Sequence, residues 1–487
     1  MITEKNFFYI PAGGVNLNVN HLLVRDEELT WGLNIYTPYY GTKRVRFGYT
    51  QFLDRVDNSP VVNLIYYKFP NQPPGILRIS AGKIYRTNFS GNSWGSPIKT
   101  LTSNYALYRK KIAWTIMLSK LHLTSYDIGF YTVYDGTSFT DFTSPNTPFA
   151  NYITNWRGRI FVGYYKQNNV NFYSRLKYSS IEFRYSDPWY EDSEDPSSSG
   201  AMVVNSGNDG VITGVSVVAD RPFYYKEGGI YKFNGTGVIR MPYDIGAIPY
   251  TIASCGERDF FFTPDGVFYN DGGKIELASF PIQKLIEKTY RKIGIYYENF
   301  SAIGYKDYYM LYIGDLYWDG ETYSNCMLVY NKRYDEWYIW SLPHKMTCFG
   351  FYIDPNSNDK KLISGDIDGY TYVWGEDYNN DNGIAINFAI KSKHFYMDDI
   401  LSEKRLNTYF IISDFGSEAK LYVEYDRSGK EIEIGKAEKL YNKMYVGEEK
   451  EKDFKSISYA IRGKTDSHRG TYAGVGFKVQ ITGEKFT

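Results

Sequence analysis

The sequence predicts an all-β chain, a β-propeller of about seven irregular blades followed by a C-terminal β-sandwich. Three observations predict it. The first is a short phrase, a glycine followed by β-branched or aromatic residues. It recurs as Gly82-Lys83-Ile84-Tyr85, Gly229-Ile230-Tyr231-Lys232, Gly266-Val267-Phe268-Tyr269 and Gly369-Tyr370-Thr371-Tyr372. Turn pairs such as Asp265-Gly266, Asp271-Gly272 and Asp368-Gly369 sit at or beside the copies. Glycine supplies the positive φ of a tight hairpin, and the residues after it suit a pleated, half-buried surface. Divergent hairpins repeated at intervals of tens of residues read as propeller blades. The second observation is the aromatic content, 18% with 50 tyrosines; tyrosine buries its ring and keeps its hydroxyl wet, which suits many thin sheets. The third is size: 487 residues exceed one ordinary core, so a toroidal unit plus another domain is expected.

Along the chain, residues 1–60 form an extended lead-in that contributes strands, among them the alternating Val45-Arg46-Phe47. The propeller is expected over 61–385. Its strand clusters run Val61–Trp94, Tyr105–Phe142, Ile153–Tyr185, Met202–Met241, Tyr250–Leu277, Phe300–Trp340 and Thr347–Trp374. An acidic, Ser/Pro-rich stretch over 190–200 reads as an exposed loop. One helix interrupts the strands. Ser279 is placed to cap it, Pro281 lies in its first turn, Ile282, Leu285, Ile286 and Ile293 form its stripe, and Gly294 ends it. The sandwich is expected over 386–487, with strands at 407–412, 420–425 and 475–481. Seven acids and seven bases alternate from Lys430 to Lys455, as in a solvated hairpin or loop.

The charge is balanced, 55 basic residues against 55 acidic, which argues against a protein built to grip nucleic acid. Three cysteines (Cys255, Cys326, Cys348) without a CxxC or histidine neighbours read as buried free thiols of a protein made in a reducing cytosol. The start of the chain lacks the layout of a signal peptide, and no apolar run approaches the ~18 residues of a membrane span.

Candidate chemistry is sparse. Ser364-Gly365-Asp366-Ile367-Asp368-Gly369 nearly matches the Asp-box of sialidase-like propellers, but its glycine arrives one place late, so a hairpin turn is expected. Asp377, Asn379 and Asp381 alternate like a calcium loop, yet Asn382 replaces the needed glycine and Phe388 the bidentate glutamate. His21, His122, His344, His394 and His468 are scattered and read as packing or surface residues. Arg109-Lys110-Lys111 reads as an exposed turn rather than a phosphate contact. No serine elbow occurs. No catalytic, metal-binding or cofactor-binding residue is assigned. The candidate partner-contact surface is the loop residues Trp189, Tyr190, Glu191, Asp192, Glu194 and Asp195.

The order of phrases resembles the tail hub, or nozzle, proteins of short-tailed bacteriophages, also called phage stabilisation or head-completion proteins. Gly13-Gly14-Val15-Asn16, Leu22-Leu23-Val24 and Arg46-Phe47-Gly48-Tyr49 resemble the family's opening. Arg157-Gly158-Arg159-Ile160-Phe161 with Tyr178-Ser179, then Asp209-Gly210-Val211-Ile212 with Gly229-Ile230-Tyr231, follow in the family's order. So do Leu328-Val329-Tyr330-Asn331 with Glu336-Trp337-Tyr338-Ile339-Trp340, and Gly365-Asp366-Ile367-Asp368-Gly369-Tyr370. The resemblance spans roughly residues 10 to 480 and rests on the succession of short phrases. It implies a non-enzymatic structural protein of the virion tail, assembled in the host cytoplasm as a hexameric ring. Such a ring continues the DNA channel below the portal and adaptor, retains the genome, passes it without specific binding, and anchors tail fibres or spikes. No cofactor is implied. The alternative is a propeller that binds or hydrolyses host-surface polysaccharide, with Trp189, Tyr190 and Trp374 as residues that could stack on sugars.

Overall fold

The computed structural model describes residues 2–20, 23–87, 93–184, 186–205, 207, 209–293, 300–397, 403–413, 419–436, 442–445, 453–465 and 471–482. Within them, antiparallel four-strand units succeed one another as blades. Five are separate sheets and two are parts of larger ones. The first blade comprises Val61–Tyr67, Gly75–Ser80, Lys83–Thr87 and Lys99–Thr100; the second Ala113–Met117, Lys120–Ser125, Phe130–Tyr134 and Phe139–Asp141. The third comprises Phe149–Trp156, Arg159–Gln167, Val170–Tyr178 and Gly200–Val203; the fourth Ile212–Val218, Arg221–Lys226, Ile230–Phe233 and Val238–Arg240. Ala253–Cys255, Arg258–Thr263, Gly266–Asn270 and Ile275–Leu277 form the fifth, and Ser301–Tyr305, Tyr308–Trp318, Glu321–Asn331 and Glu336–Ser341 the sixth. The seventh takes Met346–Ile353, Lys360–Asp366 and Thr371–Gly375, and completes itself with Gly48–Leu53 from the start of the chain.

The glycine phrases have one address. Gly82, Gly229 and Gly369 stand between the second and third strands of a blade, and Gly266 opens a third strand. At the first of these turns Ala81 and Gly82 both have positive φ, 49° and 66°, the conformation that a two-residue hairpin with the right twist demands.

Alternation along the strands produces the core. Every residue of Gly75–Ser80 is buried, because successive side chains point to opposite faces and each face meets another blade. Leu77 and Ile79 pack with Leu121 and Leu123 of the second blade, whereas Ile76 packs with Ile363 and Val373 of the seventh. Similar clusters join second to third, third to fourth, fourth to fifth, fifth to sixth and sixth to seventh. The ring is therefore closed by packing at every blade interface. Polar clasps supplement it: Asn63 exchanges two hydrogen bonds with the backbone of Ile112, at 2.9 and 3.0 Å.

The sandwich draws on both ends of the chain. One of its sheets runs Leu29–Leu33, Asn387–Ser392, Ile457–Lys464, Lys420–Tyr425 and Glu431–Lys436 in spatial order. Leu33 pairs in parallel with Ile339 of the sixth blade, so blade and sandwich form one nine-stranded sheet. The facing sheet contains Thr471–Thr482 flanked by Glu403–Ser413 and by Ile2–Tyr9. Phe388, Leu406, Val423, Ile461 and Phe477 belong to the same apolar cluster as Phe260 and Trp337 of the propeller.

Two sequence expectations are corrected here. Residues 200–203 pair with Arg175–Tyr178 and belong to the third blade, not the fourth. The helix starts as a 3-10 turn over Phe280–Ile282 and continues as Gln283–Ile293, with Ile282, Leu285 and Ile286 buried. Ser279 does not cap it, because its hydroxyl accepts the Val267 N–H at 2.8 Å. Gly294 and the Ile293 side chain lie outside the described residues.

Candidate functional site

The first strand of every blade faces the axis of the ring, and together these strands line a central cavity of about 770 Å³. Its wall mixes aliphatic residues such as Val62, Ile153 and Ile252 with polar and aromatic ones, among them Asn63, Asn155, Ser216, Ser254, Tyr152 and Phe349. The carboxylates are held behind the wall. Asp259 accepts hydrogen bonds from Ser254 at 2.6 Å, from Tyr225 at 3.0 Å and from Ser216, and its burial pushes the carboxyl up. It clasps the fourth blade to the fifth.

One cation enters the cavity. Lys111 precedes the first strand of the second blade, and its Nζ donates to the backbone carbonyl of Phe300 at the head of the sixth. The same Nζ lies 4.6 Å from the ring centroid of Tyr250. Burial lowers this amine to about 8, with the Cys348 thiol acting in the opposite direction. The contact joins the second blade to the sixth across the face where the first strands begin. Cys348 itself is pushed up to about 12 by burial and is a thiol at neutral pH. The basic cluster thus splits, which corrects the expected exposed turn. Arg109 is exposed, Lys110 faces Asp127 at 3.9 Å, and Lys111 turns inward because the inner strand it leads into sets its direction.

The acidic loop is stapled to the third blade. Arg159 donates to the carbonyls of Ser179 and Pro196, each at 2.7 Å, and to that of Ser198. Ser199 donates to the Trp189 carbonyl at 2.8 Å. Trp189 is a correction: it is 0% exposed and packs against Tyr131 and Phe183 in the core between the second and third blades. A large indole beside an apolar interface gains more from burial than from solvent. Tyr190 is 59% exposed. Glu191, Asp192 and Glu194 remain on the surface, Glu191 accepting from Lys177 at 2.8 Å, and Asp195 is half-buried, accepting from its neighbour Ser197 at 2.7 Å. Trp374 is likewise no sugar platform, being 1% exposed with its indole N–H on Ser364 Oγ at 2.9 Å.

The remaining motifs serve the fold. Asp366 accepts the Asp368 and Tyr370 N–H groups at 3.0 and 2.7 Å and the Tyr372 hydroxyl at 2.8 Å, which shapes the hairpin of the seventh blade. Asp381 is taken by Arg46. His122 meets the Tyr131 hydroxyl at 2.9 Å, His344 that of Tyr49 at 2.8 Å, and His394 stands 3.7 Å from Glu424. His21 and His468 lie outside the described residues. Among the described residues no group of three or more His, Cys, Asp or Glu is arranged to hold a metal ion, and no helix is long and apolar enough to cross a membrane.

No family model and no curated protein matches the chain. Among solved structures it is similar to BBS1N, crystallised in complex with ARL6DN, with a TM-score of 0.44, 11% identity and coverage of 68% of this chain and 97% of that one. It is also similar to the Neurospora crassa Pan2 WD40 domain, with a TM-score of 0.39, 8% identity and coverage of 67% and 95%. At such low identity and overlap, the fold rests on the strand pairing of the chain itself. That pairing establishes a seven-bladed β-propeller carrying a β-sandwich.

Proposed function

We propose that the protein is a structural ring subunit, the tail hub or nozzle of a short-tailed bacteriophage. In this reading several copies continue the DNA channel below the portal and adaptor, retain the packaged genome and anchor the tail appendages. The observation that carries the proposal is mechanical continuity. Blade and sandwich share one nine-stranded sheet and one apolar cluster, and strands from the start of the chain lock into both. A subunit that holds against packaged DNA must pass load between its lobes through paired strands rather than a flexible linker. The balanced charge supports the same reading, since a strongly basic lumen would retard the phosphates sliding past it.

Electron microscopy of particles made with and without the protein tests the proposal. The expected result is a ring below the portal in complete particles, and heads that package DNA and then leak it when the protein is missing. Stable filled heads without it, or hydrolysis of host polysaccharide by the isolated chain, overturn the reading.

A further inference from the structure

Four tyrosines, one from the second blade and three from the third, meet on the face where the first strands begin. Tyr126 lies in the turn after Lys120–Ser125, Tyr152 on the inner strand of the third blade, and Tyr164 and Tyr173 on that blade's second and third strands. Ring centroids are 5.1 Å apart for Tyr126 and Tyr164, 5.0 Å for Tyr164 and Tyr173, 6.4 Å for Tyr126 and Tyr173, and 6.5 Å for Tyr152 and Tyr164. Tyr173 is 41% exposed, and the other three are half-buried. Tyr152 also lines the central cavity, which makes the cluster continuous with the channel mouth.

The backbone under this cluster is strained. Tyr164 has φ +49° within a strand, and its pairing with the next strand slips from Gly163–Leu176 to Tyr165–Phe172. An aromatic residue with a left-handed backbone is a steric outlier, and a bulge re-aims the side chains beside it. Among the described residues the aromatics with positive φ are Tyr164, Phe183 and Tyr250, and two of these stand at this mouth. A glycine at 164 would relieve the conformation. That a tyrosine holds the position is the observation that points to use of its side chain.

Charge selects the class of ligand. The Lys166 amine lies 5.9 Å from the Tyr126 ring, and Lys110 faces Asp127. Behind burial and the neighbouring tyrosines, Asp127 and Glu227 also push up the phenols of Tyr152 and Tyr164. Asp127, next to Tyr126 in the turn, is balanced by Lys110 at 3.9 Å, so the patch offers a carboxylate and amines that bond hydroxyls without the cationic excess that a phosphate needs. Flat aromatic faces edged by a carboxylate, an amine and phenols fit a sugar ring, which has an apolar C–H face and a polar rim.

We propose that this aromatic patch binds a neutral oligosaccharide, with a pyranose ring stacked on exposed Tyr173, Tyr164 holding the Tyr173 ring in place, and hydroxyls bonded by Asp127, Lys166 and the phenols. The site is independent of the ring reading above.

The test uses the full chain, titrated by calorimetry with gluco-, galacto- and manno-configured neutral hexasaccharides and with a thymidine oligonucleotide. At least one hexasaccharide is expected to bind, with about a tenfold loss of affinity in Tyr173→Ala, the scale of one aromatic contact. Tyr164→Gly is expected to lose binding while the melting temperature holds or rises, the signature of strain kept for a ligand. If Tyr164→Gly loses stability as well, exposed Tyr173→Ala decides, and unchanged affinity there overturns the site. No binding of any hexasaccharide, or binding of the oligonucleotide alone, also overturns it.

Discussion

Arg46 and Asp381 stand 335 residues apart in the chain and form a bidentate ion pair, with Nη1 and Oδ1 at 2.8 Å and both side chains out of water. Arg46 also donates to Asn34 Oδ1 and to the Ser341 carbonyl, each at 2.9 Å. Asn34 in turn donates to the Asn387 carbonyl at 2.7 Å. One guanidinium thus joins the lead-in, the end of the sixth blade and the segment leaving the seventh, beside the strand that completes the ring.

Removal of one partner leaves the other charge buried and uncompensated. Arg46→Ala or Asp381→Ala is expected to cost about 3–5 kcal/mol. Urea unfolding gives the magnitude. Amide exchange is expected to show faster opening of residues 48–53, the closing strand, before the rest of the propeller.

Lys111 makes stability depend on pH in the alkaline range. Its folded value is about 8 against an ordinary 10.5, lowered chiefly by burial. Above about 8 the folded chain has released a proton that the unfolded chain still holds, so the contribution of this group to stability rises with pH. From 10.0 upward buried phenols such as Tyr165, whose ionisation folding delays, reverse the trend. The buried Cys326 and Cys348 thiols, pushed up to about 12 from an ordinary 9.0, act against Lys111 over its own range, so thermal melts from pH 8 to 10 are expected to fall more steeply with pH in Lys111→Met than in the native chain.

His122 governs an acid limb. Burial, with the charge of Lys120, lowers its imidazole from 6.5 to about 3. Between these values the unfolded chain binds a proton that the folded chain refuses, and stability falls as pH falls. The slope approaches about 1.4 kcal/mol per pH unit. Denaturant titrations of His122→Gln at pH 6 and pH 4 are expected to show a smaller difference than the native chain.

The acidic loop separates a core residue from a surface one. Trp189→Ala is expected to cost about 3–5 kcal/mol through the cavity it leaves. Tyr190→Ala is expected to stay within about 0.5 kcal/mol. Equal effects in thermal unfolding would contradict the burial of Trp189.

The blades were legible because a hairpin is a local object. Gly82, Gly266 and Gly369 have positive φ where the sequence places turns, and alternation within a few residues marks the strands between them. The fourth strand of the third blade was misplaced because the loop over 179–199 separates it from its partner. Pairing across so long an insertion leaves no local trace. The basic triplet was misread for a related reason: charge runs report solvation on average, whereas the direction of Lys111 depends on which strand of the blade it precedes.

By itself the sequence determined the element type, the hairpin positions, an approximate blade count and the presence of a second β domain. These follow from turn stereochemistry and side-chain period, properties of neighbours in the chain. Tertiary structure alone decided that Gly48–Leu53 closes the seventh blade, that Arg46 meets Asp381, that Trp189 is core and that four tyrosines meet in one cluster. The reason is that ring closure brings together residues hundreds of positions apart. Burial, and with it the cost or gain of each charge and each aromatic ring, exists only once the ring is shut.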